Sequence, residues 1–339
     1  MNSFTALYEN TNKMKVAITG ASGHIGNCLV RELIKKGARV KVLVHDFAND
    51  LAQLDIEMVH GNLSDNESLK KLCTGVDVIF HLAAKIAIDN RHSEQVYSIN
   101  VTGTTNLIEA AKWAGVKKFI HFSSIDAFRF ISSEQVLDET TPLVETNKSI
   151  YAFTKAESER LVLNAVKEGL DAVILSPAAV IGPYDYRGSF LGSALIKIYQ
   201  NKIPMLIPGG YNWVDVRDVA EAAIQSVEKG RKGEKYILSG NFCNLLELSK
   251  IIGKISGERT PQLLAPVSLA KLAFPFIQLY YSLINEKPIY THQSLELLVN
   301  SPKNISFEKA KKELNYSPRP LEKTLRDTFN WYNKNNYLN

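Results

Sequence analysis

Tyr151-Ala-Phe-Thr-Lys155 sets a phenol and an ammonium four residues apart. On a helix that spacing puts both groups on one face. An isolated tyrosine titrates near about pH 10 and is a poor proton donor or acceptor at neutral pH. A charged lysine beside it favours the phenolate and draws its titration toward the working range, as general acid–base chemistry requires. The same spacing also arises as an ordinary surface pair, so the position of the helix has to decide. Phe122-Ser123-Ser124 closes an apolar run that reads as a strand. Ligands of open α/β sheets bind beyond the carboxyl ends of the strands. A hydroxyl there can donate to a substrate oxygen; the alternative is that the two serines only begin a loop. Asn100, in the helix before that strand, could order a water near Lys155 or belong to a polar helix face.

A second group of residues suits a phosphate. Gly20-Ala-Ser-Gly23-His-Ile-Gly26 joins a short apolar run to a helical one. Glycine is needed where the turn is tight, where backbone approaches a pyrophosphate and where helix meets sheet. The N-terminus of the following helix supplies free N–H groups and partial positive charge. In this strand–loop–helix setting the pattern predicts dinucleotide binding, against the alternative of a tight turn that binds nothing. The end of the second strand separates the cofactors: an acidic side chain holds the ribose of NAD, a basic one the 2′-phosphate of NADP. Val44 is followed there by His45 and Asp46. His45 is a weak donor to a phosphate, while Asp46 would hold a ribose or cap the next segment. The uncharged Val44 leans the reading to NADP, with NAD left open. After the third strand comes Gly61-Asn62-Leu63. The Asn62 side-chain oxygen would accept from an adenine amino group or else shape the turn.

Strands and helices alternate so as to hold these residues. Apolar runs at 15–19, 40–44, 56–60, 76–82, 118–123 and 172–176 read as buried parallel strands. Helical periodicity covers 24–36, a capping box opens another helix at Ser64, and further helices span 93–114 and 149–168, with Gly37, Gly115 and Gly169 as stops. This alternation predicts right-handed βαβ units in a doubly wound parallel sheet. After Pro177 helices dominate, at about 188–200, 218–229, 245–256, 266–285, 290–298, 306–314 and 320–334. Short strands are expected near 205–207, 213–216 and 236–239. The fold expected is an α/β Rossmann-type domain over 14–180 and a smaller, mostly helical substrate lobe over 181–339. Within that lobe, about 211–240 should return to the first domain.

Composition excludes several classes. The 339 residues are 45% hydrophobic and 22% charged, ordinary for a globular protein. The net charge is +5 without a basic run, so no nucleic-acid partner is expected. Cys28, Cys73 and Cys243 are isolated, which points to neither disulfides nor a metal site and fits a cytoplasmic setting. The first residues lack the order of a signal peptide and read as a loose extension, with Met14 as an alternative start.

Together the motifs resemble the extended branch of the short-chain dehydrogenase/reductase superfamily. The marks are GASGHIG (20–26), VIFHLAA (78–84), NVTGTTNLIEAA (100–111), FSS (122–124), YAFTK (151–155), SPAAVIGP (176–183), WVDVRDVA (213–220) and NYSPRPLEKTLRDTFNWY (315–332). Within the branch, PGGYNWVDVRDVAEA (208–222) and ISFEKAKKELNYSPRP (305–320) are most similar to the bacterial group of dihydroflavonol 4-reductase and 3-beta-hydroxysteroid dehydrogenase. The resemblance implies that Tyr151 is the proton donor/acceptor, that Lys155 lowers its pKa and holds the nicotinamide ribose, and that Ser124, with Ser123 beside it, polarises the substrate oxygen. It implies that Gly20, Ser22, Gly23, His24, Ile25 and Gly26 line the pyrophosphate. Leu82, Ala83, Ala84 and Lys85 would line the adenosine side and ribose, with His45, Asn62 and Leu63 nearby, and Pro177, Ala179 and Val180 would back the nicotinamide. Three positions depart from the pattern. His45 stands where NADP-using relatives usually carry Arg, Asn62 where Asp is usual, and Ser176 where many sugar-nucleotide enzymes carry Arg. Phe128, in place of a usual Tyr, further tilts away from a nucleotide-sugar epimerase.

The expected activity is reversible hydride transfer between NAD(P) and a carbonyl or secondary alcohol of a fairly apolar small molecule. Nucleotide-sugar epimerisation or dehydration with a tightly bound NAD is the alternative, and a non-catalytic nucleotide-binding regulator the second. Phe128, Arg129, Tyr186, Arg187 and Trp213 are expected to face the cleft above the nicotinamide, against surface or core packing. The apolar stretch 263–284 is interrupted by Pro266, Pro275 and Lys271. It reads as a helix pair walling the cleft, with peripheral membrane contact or a homodimer contact as the other reading.

Overall fold

The computed structural model describes residues 14–45, 49–87, 92–130, 135–146, 149–269, 272 and 292–338. Strand β1 (Lys15–Thr19) is buried from Val16 onward. It runs into a turn that only glycine can make. Gly20 has φ +77°, and a Cβ there would lie 2.6 Å from Ala83 N and 2.7 Å from Leu82 C. Helix α1 (His24–Lys35) follows, then β2 (Arg39–Val44), β3 (Glu57–His60), α2 (Asn66–Cys73) and β4 (Val78–His81). Next come α3 (Ser93–Tyr97), a π-helical turn (Ser98–Thr102), α4 (Gly103–Trp113), β5 (Lys118–Phe122) and, after the two-residue β6 (Val136–Leu137), α5 (Ile150–Lys167).

With β7 (Ala172–Pro177) and β10 (Lys235–Leu238) these strands form one seven-stranded sheet in the order β10-β7-β5-β4-β1-β2-β3, parallel throughout. Strand alternation divides the core between two faces. Val16 and Ile18 pack with Leu29 and Leu33 of α1 and with Val219 and Ala223 of α7 (Val216–Lys229). Ala17, Ile79 and Phe119 pack with Leu72 of α2, Leu107 of α4 and Val162 of α5. Phe119 is fully buried, a side chain of the class whose burial stabilises by about 1.5–3 kcal/mol. The order changes direction between β1 and β4, so the loops after these strands open the crevice where such sheets bind ligands.

A second, three-stranded sheet carries the order β11-β9-β8, from β8 (Ala179–Ile181), β9 (Gly210–Asp215) and β11 (Phe242–Asn244). Around it pack α6 (Phe190–Tyr199), α8 (Leu245–Ser256), α9 (His292–Val299) and α11 (Leu321–Lys334), with Leu195, Trp213, Leu248 and Phe329 in a shared core. The two-residue β12 (Asn304–Ile305) pairs with β6, and α10 (Glu308–Leu314) sits on the first core. The halves are tied near the phosphate loop. His24 Nε2 lies 3.0 Å from the Pro183 carbonyl. The Arg31 guanidinium stands 5.4 Å from the rings of both Tyr184 and Tyr186, and Tyr186 meets Trp331 edge-on at 5.0 Å.

One expectation needs correction: the strand expected at 205–207 is a single bridge, Leu206 to Leu264. The helix expected over 93–114 runs to Trp113 through the π turn. The expected lobe is mostly helical, and its three-stranded sheet adds β8, which follows β7 across one residue and reads in sequence as its continuation. The helix pair expected over 263–284 lies outside the described residues apart from 263–269 and Leu272. Among the described residues no helix is long and apolar enough to cross a membrane.

Candidate active site

The acid–base residues converge where β5 ends. Ser149 caps α5, its hydroxyl accepting from Ala152 N, so Tyr151 falls in the first turn and Lys155 in the second. Ser124 caps the short turn Ile125–Ala127 after β5, its hydroxyl accepting from Asp126 N. Burial, then the nearby Asp126 carboxylate, push the Tyr151 pKa up, with Ser124 acting the other way. This corrects the expectation that Lys155 draws it down: the Lys155 ammonium is turned to the Phe122 carbonyl. Asp126 was not singled out in the sequence. Its carboxylate accepts from Ser124 Oγ at 3.3 Å, and burial pushes its own pKa up. Lys155 is buried and donates to the Phe122 carbonyl. Burial lowers it to about 8, with Glu159 acting in the opposite direction.

Ser123 turns away from Ser124. Its hydroxyl donates to Glu159 Oε2 at 2.7 Å. Asn100, set in the π turn, is engaged by protein rather than left to order a water. Its oxygen accepts from Lys85 N at 2.7 Å, and its nitrogen donates to Lys85 O at 3.1 Å and Thr154 Oγ1 at 3.0 Å. It therefore fastens the chain after β4 to α5. Beneath it His81 bridges Thr19 Oγ1 at 2.7 Å and Thr104 Oγ1 at 2.8 Å. Burial, with Lys155 adding to it, drives His81 down to about 3 and His121 well below its ordinary value, so both rings are neutral.

The loop after β1 fits a dinucleotide pyrophosphate. Gly23 caps α1 without a side-chain bond, and no acidic residue stands in the first turn. The N–H groups of that turn are thus left for an anion. A Cβ on Gly26 would lie 2.1 Å from Gly20 O, so the loop packs directly on the helix. Leu82, Ala83, Ala84 and Lys85 lie across the crevice, partly exposed, as do Ala179 and Val180 beyond the buried Pro177. A bound nicotinamide cofactor would supply the hydride chemistry. These loops would hold its phosphates, and Lys155 its ribose. His45 is exposed at the end of β2, while Asp46 lies outside the described residues. Asn62 is committed to its turn, its oxygen accepting from Ser64 N at 2.9 Å and Ser64 Oγ at 2.5 Å.

The five expected substrate residues divide. Phe128 is 1% exposed and packs with Leu137, Ile237 and Ile305. Trp213 is 5% exposed, donates to Cys243 O at 3.0 Å and belongs to the second core. Both follow the core alternative, because a large ring beside a short strand fills the space under it. Tyr186 is half-buried between Arg31 and Trp331, and Arg129 and Arg187 are exposed.

Residues 16–239 match the model of the NAD dependent epimerase/dehydratase family. The chain belongs to that family. It is 29% identical over 326 residues to sterol demethylase protein B of Methylococcus capsulatus, covering 94% of this chain and 98% of the relative. It is 26% identical over 321 residues to the 4-hydroxy-2-methyl-3-oxo-4-farnesyl-3,4-dihydroquinoline-1-oxide ketoreductase of Stigmatella aurantiaca, covering 90% and 92%. Its fold superimposes on the crystal structure of gox2253 with TM-score 0.83 and 31% identity, over 97% of this chain and 100% of that one. The family member described here is thus NAD(P)-dependent in class. It carries Tyr151 and Lys155 in the first two turns of α5, with Lys155 bonded to the Phe122 carbonyl at the end of β5.

Proposed function

We propose that this protein is an oxidoreductase that moves a hydride between a nicotinamide cofactor and a carbonyl or secondary alcohol of an apolar substrate. Tyr151 exchanges the proton with the substrate oxygen, Ser124 polarises that oxygen, and Lys155 supports the phenolate. The observation that carries this is the convergence of Ser124, at the carboxyl end of β5, with Tyr151 and buried Lys155 in the first turns of α5. The relatives named for a sterol and for a farnesylated ketone support an apolar substrate. Epimerisation of a nucleotide sugar needs free cations for its diphosphate. Arg217 is bound to Asp215 at 2.7 Å and Asp327 at 2.8 Å, and Arg231 to Glu313 at 2.6 Å, which leaves exposed Arg187 of the three arginines between 161 and 256 for that contact. NADP is the favoured cofactor because Val44 brings no acid to the end of β2. On the same reading the enzyme works as a homodimer in the cytoplasm. Its three cysteines are all buried, with thiols that burial pushes up.

The test is steady oxidation of free NADPH with a panel of cyclic and polycyclic ketones. Turnover of ketones supports the proposal. Interconversion of UDP-sugars without net cofactor change overturns it. Calorimetric titration with both cofactors decides the second point, and tighter NADH than NADPH reverses it.

A further inference from the structure

Glu159 is a buried carboxylate that the proton transfer above does not use. It is 0% exposed and lies one turn beyond Lys155. Tyr151, Lys155 and Glu159 recur every four residues on α5, so they line one face in series. One Glu159 oxygen accepts from Ser123 Oγ at 2.7 Å. The other is 3.1 Å from Lys235 Nζ on β10, a charge contact outside hydrogen-bond geometry. Lys235 also stands 5.0 Å over the Phe128 ring.

Charged and titratable groups surround this part of α5. Lys155 lies on the same helix and Lys235 on β10. His121 of β5, neutral, has Nε2 3.4 Å from Ser158 Oγ, next to Glu159 in the chain. His81 on β4 is neutral as well. Asp126 acts on Tyr151, at the other end of the face. The carboxylate whose charge acts on Lys155 is Glu159. A buried ammonium sheds its proton unless an anion shares its surroundings.

We propose that Glu159 is a positioning residue, a buried carboxylate one helical turn beyond Lys155 that keeps Lys155 charged and, through Ser123, holds the strand end bearing Ser124. What that charge serves rests on the acid–base reading of Tyr151; the charge itself does not.

The experiment follows Lys155 directly. Protein labelled with 13C at lysine Cε is titrated with pH, and the Lys155 signal is assigned by its loss in Lys155→Met. Glu159→Gln keeps an acceptor for Ser123 and removes the charge. It should lower the Lys155 midpoint by about one pH unit or more, and the alkaline limb of kcat should move with it. Lys235→Gln removes the competing cation and should leave the midpoint where it is or raise it. An unchanged midpoint in Glu159→Gln overturns the proposal. So does an equal fall in both variants, which would mark general loosening of the buried network. If Glu159→Gln does not fold, Lys235→Gln still decides, because a fall there contradicts the proposal. A shifted midpoint in a protein that still turns over as Tyr151→Phe would remove the acid–base reading and leave the charge role of Glu159 standing.

Discussion

The carboxyl edge of the large sheet and the second lobe treat their polar residues in opposite ways. At the sheet edge each polar side chain is tied to a neighbour: Ser123 to Glu159, Ser124 to Asp126, Asn100 to Lys85 and Thr154, Lys155 to the Phe122 carbonyl and His81 to Thr19 and Thr104. In the second lobe the side chains expected to meet a substrate are either core, as Trp213 is, or exposed, as Arg187 is. On the proposed function, the proton would move at the bonded sheet edge, and substrate choice would fall to a lobe of aromatic packing and short strands.

The contrast can be broken first at the loop. Gly26→Val sets side-chain carbons into the Gly20 carbonyl, where even a Cβ would be 2.1 Å away. It should abolish cofactor binding in calorimetry and lower the melting temperature, and normal NAD(P)H affinity would contradict the packing described. Tyr151→Phe comes next. It should cut turnover by roughly 10²–10⁴ while cofactor affinity changes less than about threefold, as read by single-turnover kinetics and titration. Trp213→Ala, in the lobe, should cost about 3–5 kcal/mol of stability in urea denaturation. A normal denaturation midpoint combined with a raised KM would make it a substrate contact instead of a core residue.

Acid acts on the same contrast. His81 and His121 are neutral when folded and free to take a proton when unfolded. Their folded pKa values lie below the unfolded one. Their contribution to stability is thus full above about pH 6.5. It declines as pH falls, for His81 until about 3. The raised carboxyls of Asp126 and Asp218 act the other way at the low end of that window. Among the described residues the buried histidines lie in the large sheet. Hydrogen exchange at pH 5 should therefore show β4 and β5 opening before β9 and α8. Earlier loss in the lobe would contradict this.

The sheet half was the legible half. Lys15–Thr19 matches β1 to the residue, because a buried parallel strand bounded by glycine has an unmistakable apolar run. Leu245–Ser256 in the lobe was equally plain, with Asn244 capping and Gly257 stopping it. What escaped were elements too short to carry a period. The two-residue pair β6–β12 joins segments far apart in the chain, and β8 hides behind Pro177 in one continuous apolar run. Glu159 was readable in principle. It repeats the four-residue step from Tyr151 to Lys155 once more, but a glutamate at that spacing looks like any solvated helix charge until burial is known. Phe128 and Trp213 misled for a related reason, since an aromatic residue in a loop has the same appearance whether it faces a ligand or a core.

The contact between His24 and the Pro183 carbonyl bears on the order of events. His24 stands in the phosphate loop, and Pro183 precedes Tyr184 and Tyr186, whose rings sit on Arg31 of the same helix. Cofactor loop and substrate-side chain are thus one mechanical part. On the proposed function, a dinucleotide settling on the N-terminus of α1 would steady the wall that the second reactant must meet. Binding in sequence, nucleotide first in and last out, is then the expected kinetic pattern, and product-inhibition kinetics showing random order would contradict it.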